Sequence, residues 1–193
     1  SEGAEDVVVN LSATATDGEI LLYEGLSSSE GSEDGTAELA KNSNLLDYNG
    51  WSTLTKVYAG STKYAKSDGG CLKLGSSKAA GSMTTGDISL TGNGTLTFYL
   101  WQYNNDIGKL DVTVTGATAD VTEFTPAEDW TLCTVNLTNA TGTVTITFAT
   151  TEKRAYVDEI TLTTGSSGGD DPNPTLTYYQ NADGKTGSEL KTS

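Results

Sequence analysis

The sequence predicts an all-β fold, a two-sheet antiparallel β-sandwich, and three observations carry that expectation. Short runs rich in Val, Thr, Leu and Ile alternate apolar and polar side chains, the two-residue period of a strand with one buried face. Clusters of Gly, Asn and Ser interrupt these runs at short intervals, as tight turns require. No apolar run approaches the ~18 residues of a membrane-spanning helix, and helical spacing is visible only weakly, around "TAELAKN". A chain of 193 residues has room for one such core with flanking segments.

In chain order, residues 1–19 are acidic with an apolar "VVVNL" inside them, readable as a tail or an added edge strand. The opening "SEGAEDVVV" looks like a mature N-terminus trimmed of a signal peptide. Residues 20–164 form the predicted sandwich, with strands expected near 19–24, 53–58, 71–75, 81–89, 94–103, 109–115, 130–137, 142–149 and 155–163. A long acidic loop, "SSSEGSEDGTAELAKNSNLLDYNGW", separates the first two of them. Residues 165–175, beginning "GSSGGDDPNP", have the Gly, Ser, charge and Pro composition of an interdomain linker. Residues 176–193 lie beyond that linker and belong to something other than the sandwich.

Charge and residue types narrow the functions available. Eleven Lys and Arg stand against 26 Asp and Glu, a formal charge of −15, so a polyanion is repelled on average and nucleic acid is disfavoured as ligand. The exception is the lysine-rich stretch from Lys56 to Lys78, with Lys63, Lys66 and Lys73 between and only Asp68 opposing. It reads as lysines on the wet faces of two strands or, less simply, as a nucleic-acid patch. The chain has no His, which removes the commonest general base, the commonest zinc ligand and every Ser/His or Cys/His pair. A carboxylate pair could still cleave glycosidic bonds, but no cleft signature accompanies one, and the chain is expected not to be an enzyme. Cys71 and Cys133, the only cysteines, are either a disulfide or two buried thiols.

Two irregularities of parity mark candidate sites. In "TLTFYLWQY", Leu96, Phe98 and Leu100 share one face while Tyr99, Trp101 and Tyr103 share the other. With the aliphatic face in the core, the three aromatics form a ladder on which sugar rings can stack, or which a loop covers as a second small core. In "RAYVDEITLTT", Asp158 has the parity of Tyr156, Ile160 and Leu162; Glu24 likewise shares parity with Ile20, Leu22 and Leu26. A buried carboxylate needs a partner. Three answers are open: a calcium ion, with Asp47 as a third oxygen ligand; pairing with Arg154 or a Lys; or a β-bulge that turns one acid outward.

The span from "LLYEGL" through "GGCLKLGSSKAAGSMTTGDISLTGNGTLTFYLWQY" to "RAYVDEITL" resembles the galactose-binding-like jelly-roll domains of secreted and surface proteins of Bacteroidetes, which are similar to carbohydrate-binding modules. That resemblance implies a sandwich, a glycan or cell-surface polymer as ligand, and a structural calcium bridging Glu24 and Asp158, with Asp47 near. Leu26 stands where such domains usually carry an aromatic, and the long loop after it departs from their pattern. The end of the chain, "YYQNADGKTGSELKTS", is similar to the opening of the extracellular endonuclease I family, through Tyr178, Tyr179, Gly184, Lys185, Gly187, Leu190 and Lys191. It implies a nuclease domain in cis, whose catalytic His and metal-binding acids would lie further along. Together the two resemblances imply a lipoprotein or secreted protein, outside the cytoplasm or on the outer-membrane surface, in which the sandwich is a non-catalytic accessory domain or a spacer.

Overall fold

The computed structural model describes residues 18–165. The expectations for the N-terminal acidic segment, the linker and the nuclease-like end fall outside the described residues. Eleven strands make up the domain: β1 (Ile20–Glu24), β2 (Trp51–Thr55), β3 (Val57–Gly60), β4 (Cys71–Leu74), β5 (Ser82–Thr85), β6 (Ile88–Gln102), β7 (Leu110–Thr115), β8 (Thr118–Ala119), β9 (Glu123–Phe124), β10 (Thr131–Thr150) and β11 (Ala155–Thr164). No helix occurs among the described residues. The expected helical turn at "TAELAKN" is extended chain, where Leu39 N and Gly35 N donate to Val57 O and Ala59 O at the edge of β3.

All strand pairs are antiparallel, in the order β2-β5-β10-β6-β11-β4-β3, with β1 also on β11 and β7 also on β10. One layer is built on β3, β4, β11, β6 and the first half of β10. The second is built on β2, β5, β7, β9 and the last residues of β10. The twenty-residue β10 thus serves both layers, so the sandwich is joined along one strand and is nearly a barrel. The sequence splits β10 at the Asn and Gly near 138–142. The structure keeps it whole by absorbing an irregularity between Leu137 and Ala140, with Asn139 at φ 58°. Conversely, the single strand expected over 53–58 is broken into β2 and β3 at Lys56, whose φ is 53°.

The core lies between the layers and is fully apolar at its centre. Leu96, Phe98 and Leu100 of β6 point into it, as the alternation predicts, with Phe98 edge-on to Phe148 at 5.4 Å and to Phe124 at 5.1 Å. Cys133 faces Phe98 across the β6–β10 ladder, while Cys71 is buried on the other side of the sheet. Both thiols are free, which answers the open question of a disulfide: they lie on opposite faces. Burial pushes the Cys133 thiol up to about 11 and the Cys71 thiol higher still.

Candidate functional site

The side of the first layer turned away from the core carries a row of aromatic and charged side chains fixed by strand register. Tyr58 on β3 pairs with Lys73 on β4, Lys73 with Tyr156 on β11, and Tyr156 with Trp101 on β6. Trp130, immediately before β10, continues the row, its ring 5.4 Å from that of Trp101. Tyr58, Lys73, Tyr156 and Trp101 each follow or precede a core residue by one, so the two-residue period of a strand alone places them outward. Tyr156 is the buried floor, 5% exposed, with Trp101 at 5.6 Å and Tyr103 at 5.1 Å. Tyr64, from the loop 61–70, stands over it, 5.5 Å from Trp101 and 41% exposed.

Of the sequence-predicted ladder, Trp101 and Tyr103 are therefore in one cluster and half-buried, while Tyr99 is separated from it. The Tyr99 ring lies under the ammonium of Lys66 at 4.8 Å and beside the exposed Leu132. The ladder is neither bare nor capped. Between Tyr64, Trp101 and Tyr156 opens a cleft of about 550 Å³ whose other walls are Gln102, Asn104, Asn105 and Glu128. Amide and carboxylate groups around aromatic faces can exchange hydrogen bonds with polar groups of a ligand whose flatter side packs on the rings. Tyr64, Trp130 and Tyr156 were missed from sequence. Tyr156 carried a readable signal, since it shares parity with Asp158, but the other two sit in irregular chain.

Asp34, from the long acidic loop, holds this cluster in place. It accepts hydrogen bonds from the Tyr156 hydroxyl at 3.1 and 3.2 Å and from Ser61 N at 2.9 Å, and it pairs with Lys73 at 3.3 Å. Burial, with the Asp34 charge next, pushes the Tyr156 hydroxyl far above its ordinary range. The Tyr103 hydroxyl is raised for the same two reasons. Both phenols are therefore protonated throughout the physiological range. Arg154 stacks on Tyr103 at 4.0 Å and forks onto Asp106, Nε at 2.6 Å. It thus serves neither Glu24 nor Asp158, which removes that candidate for their partner.

The three acids expected as calcium ligands are placed as follows. Glu24 is fully buried with core parity at the end of β1; its carboxylate accepts from Leu26 N, Asp47 N, Tyr48 N and Trp51 Nε1, at 3.0 to 3.3 Å. Burial raises its pKa, and these four donors pull it part of the way back. Asp47 accepts from Gly25 N and Ser27 N. Asp158 is also fully buried, but on the outer face: it pairs with Tyr99, and a bulge at Glu159, φ 51°, returns Ile160 and Leu162 to the core. The parity that put Asp158 with Ile160 and Leu162 is thereby corrected, because one extra residue in a strand reverses every side chain after it. Lys66 N and Glu159 N donate to Asp158, each at 2.8 Å, and burial still lifts its carboxyl to about 6. Each of these carboxylates accepts from N–H donors. Among the described residues no three His, Cys, Asp or Glu side chains are grouped to hold a metal ion.

Four of the five lysines from 56 to 78 are engaged separately: Lys56 with Glu38, Lys73 with Asp34, Lys63 over Tyr64 and Lys66 over Tyr99. No protein-family model matches this chain, and no curated protein does. Solved structures do. The CBM22-1 xylan-binding domain of Paenibacillus barcinonensis Xyn10C matches with a TM-score of 0.52 and 16% identity, over 80% of this chain and 100% of that domain. The tandem CBM22-1–CBM22-2 domain of the same protein matches with a TM-score of 0.53 and 15% identity, over 86% of this chain and 51% of that one. The fold is the jelly roll of carbohydrate-binding modules. At such identities the likeness is one of fold. No helix among the described residues is long and apolar enough to cross a membrane.

Proposed function

We propose that residues 18–165 are a non-catalytic carbohydrate-binding domain whose site is the cleft around Trp101. The observation that carries this reading is the composition of that cleft: Tyr64, Trp101 and Tyr156 supply aromatic surface, and Gln102, Asn104, Asn105 and Glu128 supply paired donors and acceptors. A pyranose ring has the same two-sidedness, an apolar C–H face and a rim of hydroxyls. The fold it shares with xylan-binding modules supports the same assignment. The resemblance of residues 176–193 to the opening of extracellular endonuclease I domains extends the proposal: the domain would tether an exported bacterial nuclease to a glycan or cell-surface polymer.

Glycan-array screening of the protein, followed by titration calorimetry on any hit, tests the reading. Trp101→Ala is expected to abolish detectable binding while circular dichroism stays that of the wild type. No glycan above background, or binding indifferent to Trp101, overturns it and leaves a spacer.

A further inference from the structure

The groove does not end at the Trp101 cleft. It shares Tyr64, Asn104 and Tyr156 with a second depression of about 370 Å³ that reaches Asp34 and Tyr103. Those two residues also border a third, of about 320 Å³, lined by Tyr58, Lys73 and Arg154. The depressions lie along the register row between Trp101 and Tyr58, across β6, β11, β4 and β3, and Trp130, its ring 5.4 Å from that of Trp101, extends the row by one further step. Four interstrand steps make that row about 19 Å long, the extent of about four pyranose rings in a chain.

The chemistry of the far end differs from that of the Trp101 end. Tyr58 and Tyr103 flank the Lys73 ammonium, 5.2 and 5.8 Å from their ring centres. Lys73 is already paired with Asp34, and Arg154 with Asp106. The third cation on the groove, Lys63, lines the same depression as Glu33. With Glu128 at the other end, four carboxylates stand against three cations, in a chain of net charge −15. An anionic sugar entering here competes with Asp34 and Asp106 for their cations and meets a repulsive field. A neutral sugar disturbs neither pair, since its hydroxyls accept from the spare N–H groups of Lys73 and donate to Asp34.

We propose that the depression formed by Tyr58, Lys73 and Tyr103 is a second sugar subsite, so that the groove takes an uncharged oligosaccharide of about four units and rejects chains bearing uronic acid or sulfate. The proposal rests on the glycan-binding reading of the Trp101 cleft. It is tested by calorimetry of the whole chain with neutral xylo-, gluco- and galacto-oligosaccharides from disaccharide to hexasaccharide. A tetrasaccharide carrying one uronic acid is titrated beside them.

Affinity is expected to climb about tenfold from disaccharide to tetrasaccharide and then level off. Tyr58→Ala removes the climb and leaves the disaccharide affinity within about twofold of the wild type, because the Trp101 end is untouched. The uronate chain binds at least about tenfold more weakly than its neutral counterpart. Asp34→Asn, which frees Lys73, raises the ratio of acidic to neutral affinity about fivefold, a gain that loss of fold cannot mimic. A wild type that binds disaccharide and tetrasaccharide equally, a climb that survives Tyr58→Ala, or equal affinity for the uronate chain overturns the second subsite and leaves the Trp101 reading standing. Binding to no member of any series overturns both.

Discussion

Glu24 offers the most direct test of how this sandwich is held closed at the end of β1. Glu24→Gln keeps shape and volume but replaces one acceptor oxygen with an NH₂ donor. Whichever way the amide turns, two N–H groups lose their acceptor: Tyr48 N and Trp51 Nε1 in one orientation, Leu26 N and Asp47 N in the other. The side chain is fully buried and Trp51 and Leu26 are 3% and 0% exposed, so water cannot replace the lost oxygen. Hydrogen bonds to a charged acceptor contribute about 1.5–3 kcal/mol each, and the raised pKa of Glu24 argues for the lower part of that range, giving ~3 kcal/mol in all. With a urea dependence of about 2 kcal/mol per molar, the unfolding midpoint should fall by ~1.5 M. The same titration of the wild type in excess chelator should leave the midpoint where it was, because four N–H donors already face the carboxylate. A midpoint for Glu24→Gln within about 0.3 M of the wild type would refute the reasoning, and a chelator-induced fall as large as the mutational one would assign the site to calcium.

Asp158 should give the domain an unusual pH dependence. Its carboxyl is lifted by burial from 3.8 to about 6, so between those values the folded protein holds a proton that the unfolded chain has released. The associated stability is present below about pH 4 and lost as pH rises through about 6, two units or ~3 kcal/mol. Comparing urea midpoints of wild type and Asp158→Asn from pH 4 to 7 isolates it, and a difference that does not vary with pH would contradict it. Neither thiol should react with Ellman's reagent in the native protein at pH 8, and both should react in guanidinium; no reaction in either condition would mean a disulfide. Trp101→Ala forfeits ring contacts to Tyr64, Trp130 and Tyr156 worth ~0.5–1.5 kcal/mol each. At about 3 °C per kcal/mol for a domain of this size, a melting temperature lower by about 5–13 °C is therefore expected, and an unchanged one would show that these rings do not support one another.

The fold was legible because strand periodicity is a local property. Leu96, Phe98 and Leu100 had to share a face, and that face had to be the core, whatever the remainder of the chain did. Element boundaries were less legible. The break at Lys56 and the continuity of β10 through Asn139 both depend on positive φ at residues other than Gly, conformations that neighbours impose and that a sequence pattern does not announce. The acids were half-legible. Alternation showed that Glu24 and Asp158 needed partners, but apart from the Trp51 indole those partners are backbone N–H groups from Leu26, Asp47, Tyr48, Lys66 and Glu159, and every residue except Pro carries that donor. The alternation could show that a partner was needed but not which donors the fold would bring to it.

The sequence by itself determined the all-β class, the absence of His chemistry, the acidic surface and the outward face of Trp101, because each follows from composition or from a two-residue period. Only the tertiary structure decided that Trp101 meets Tyr64, Trp130 and Tyr156, that Asp34 from the long loop accepts from the Tyr156 hydroxyl at the groove floor, and that Asp158 lies on the opposite face from Ile160. The physical reason is the same in each case. Register between strands far apart in the chain, and one inserted residue at Glu159, set which side chains become neighbours, and neither is written in the local alternation.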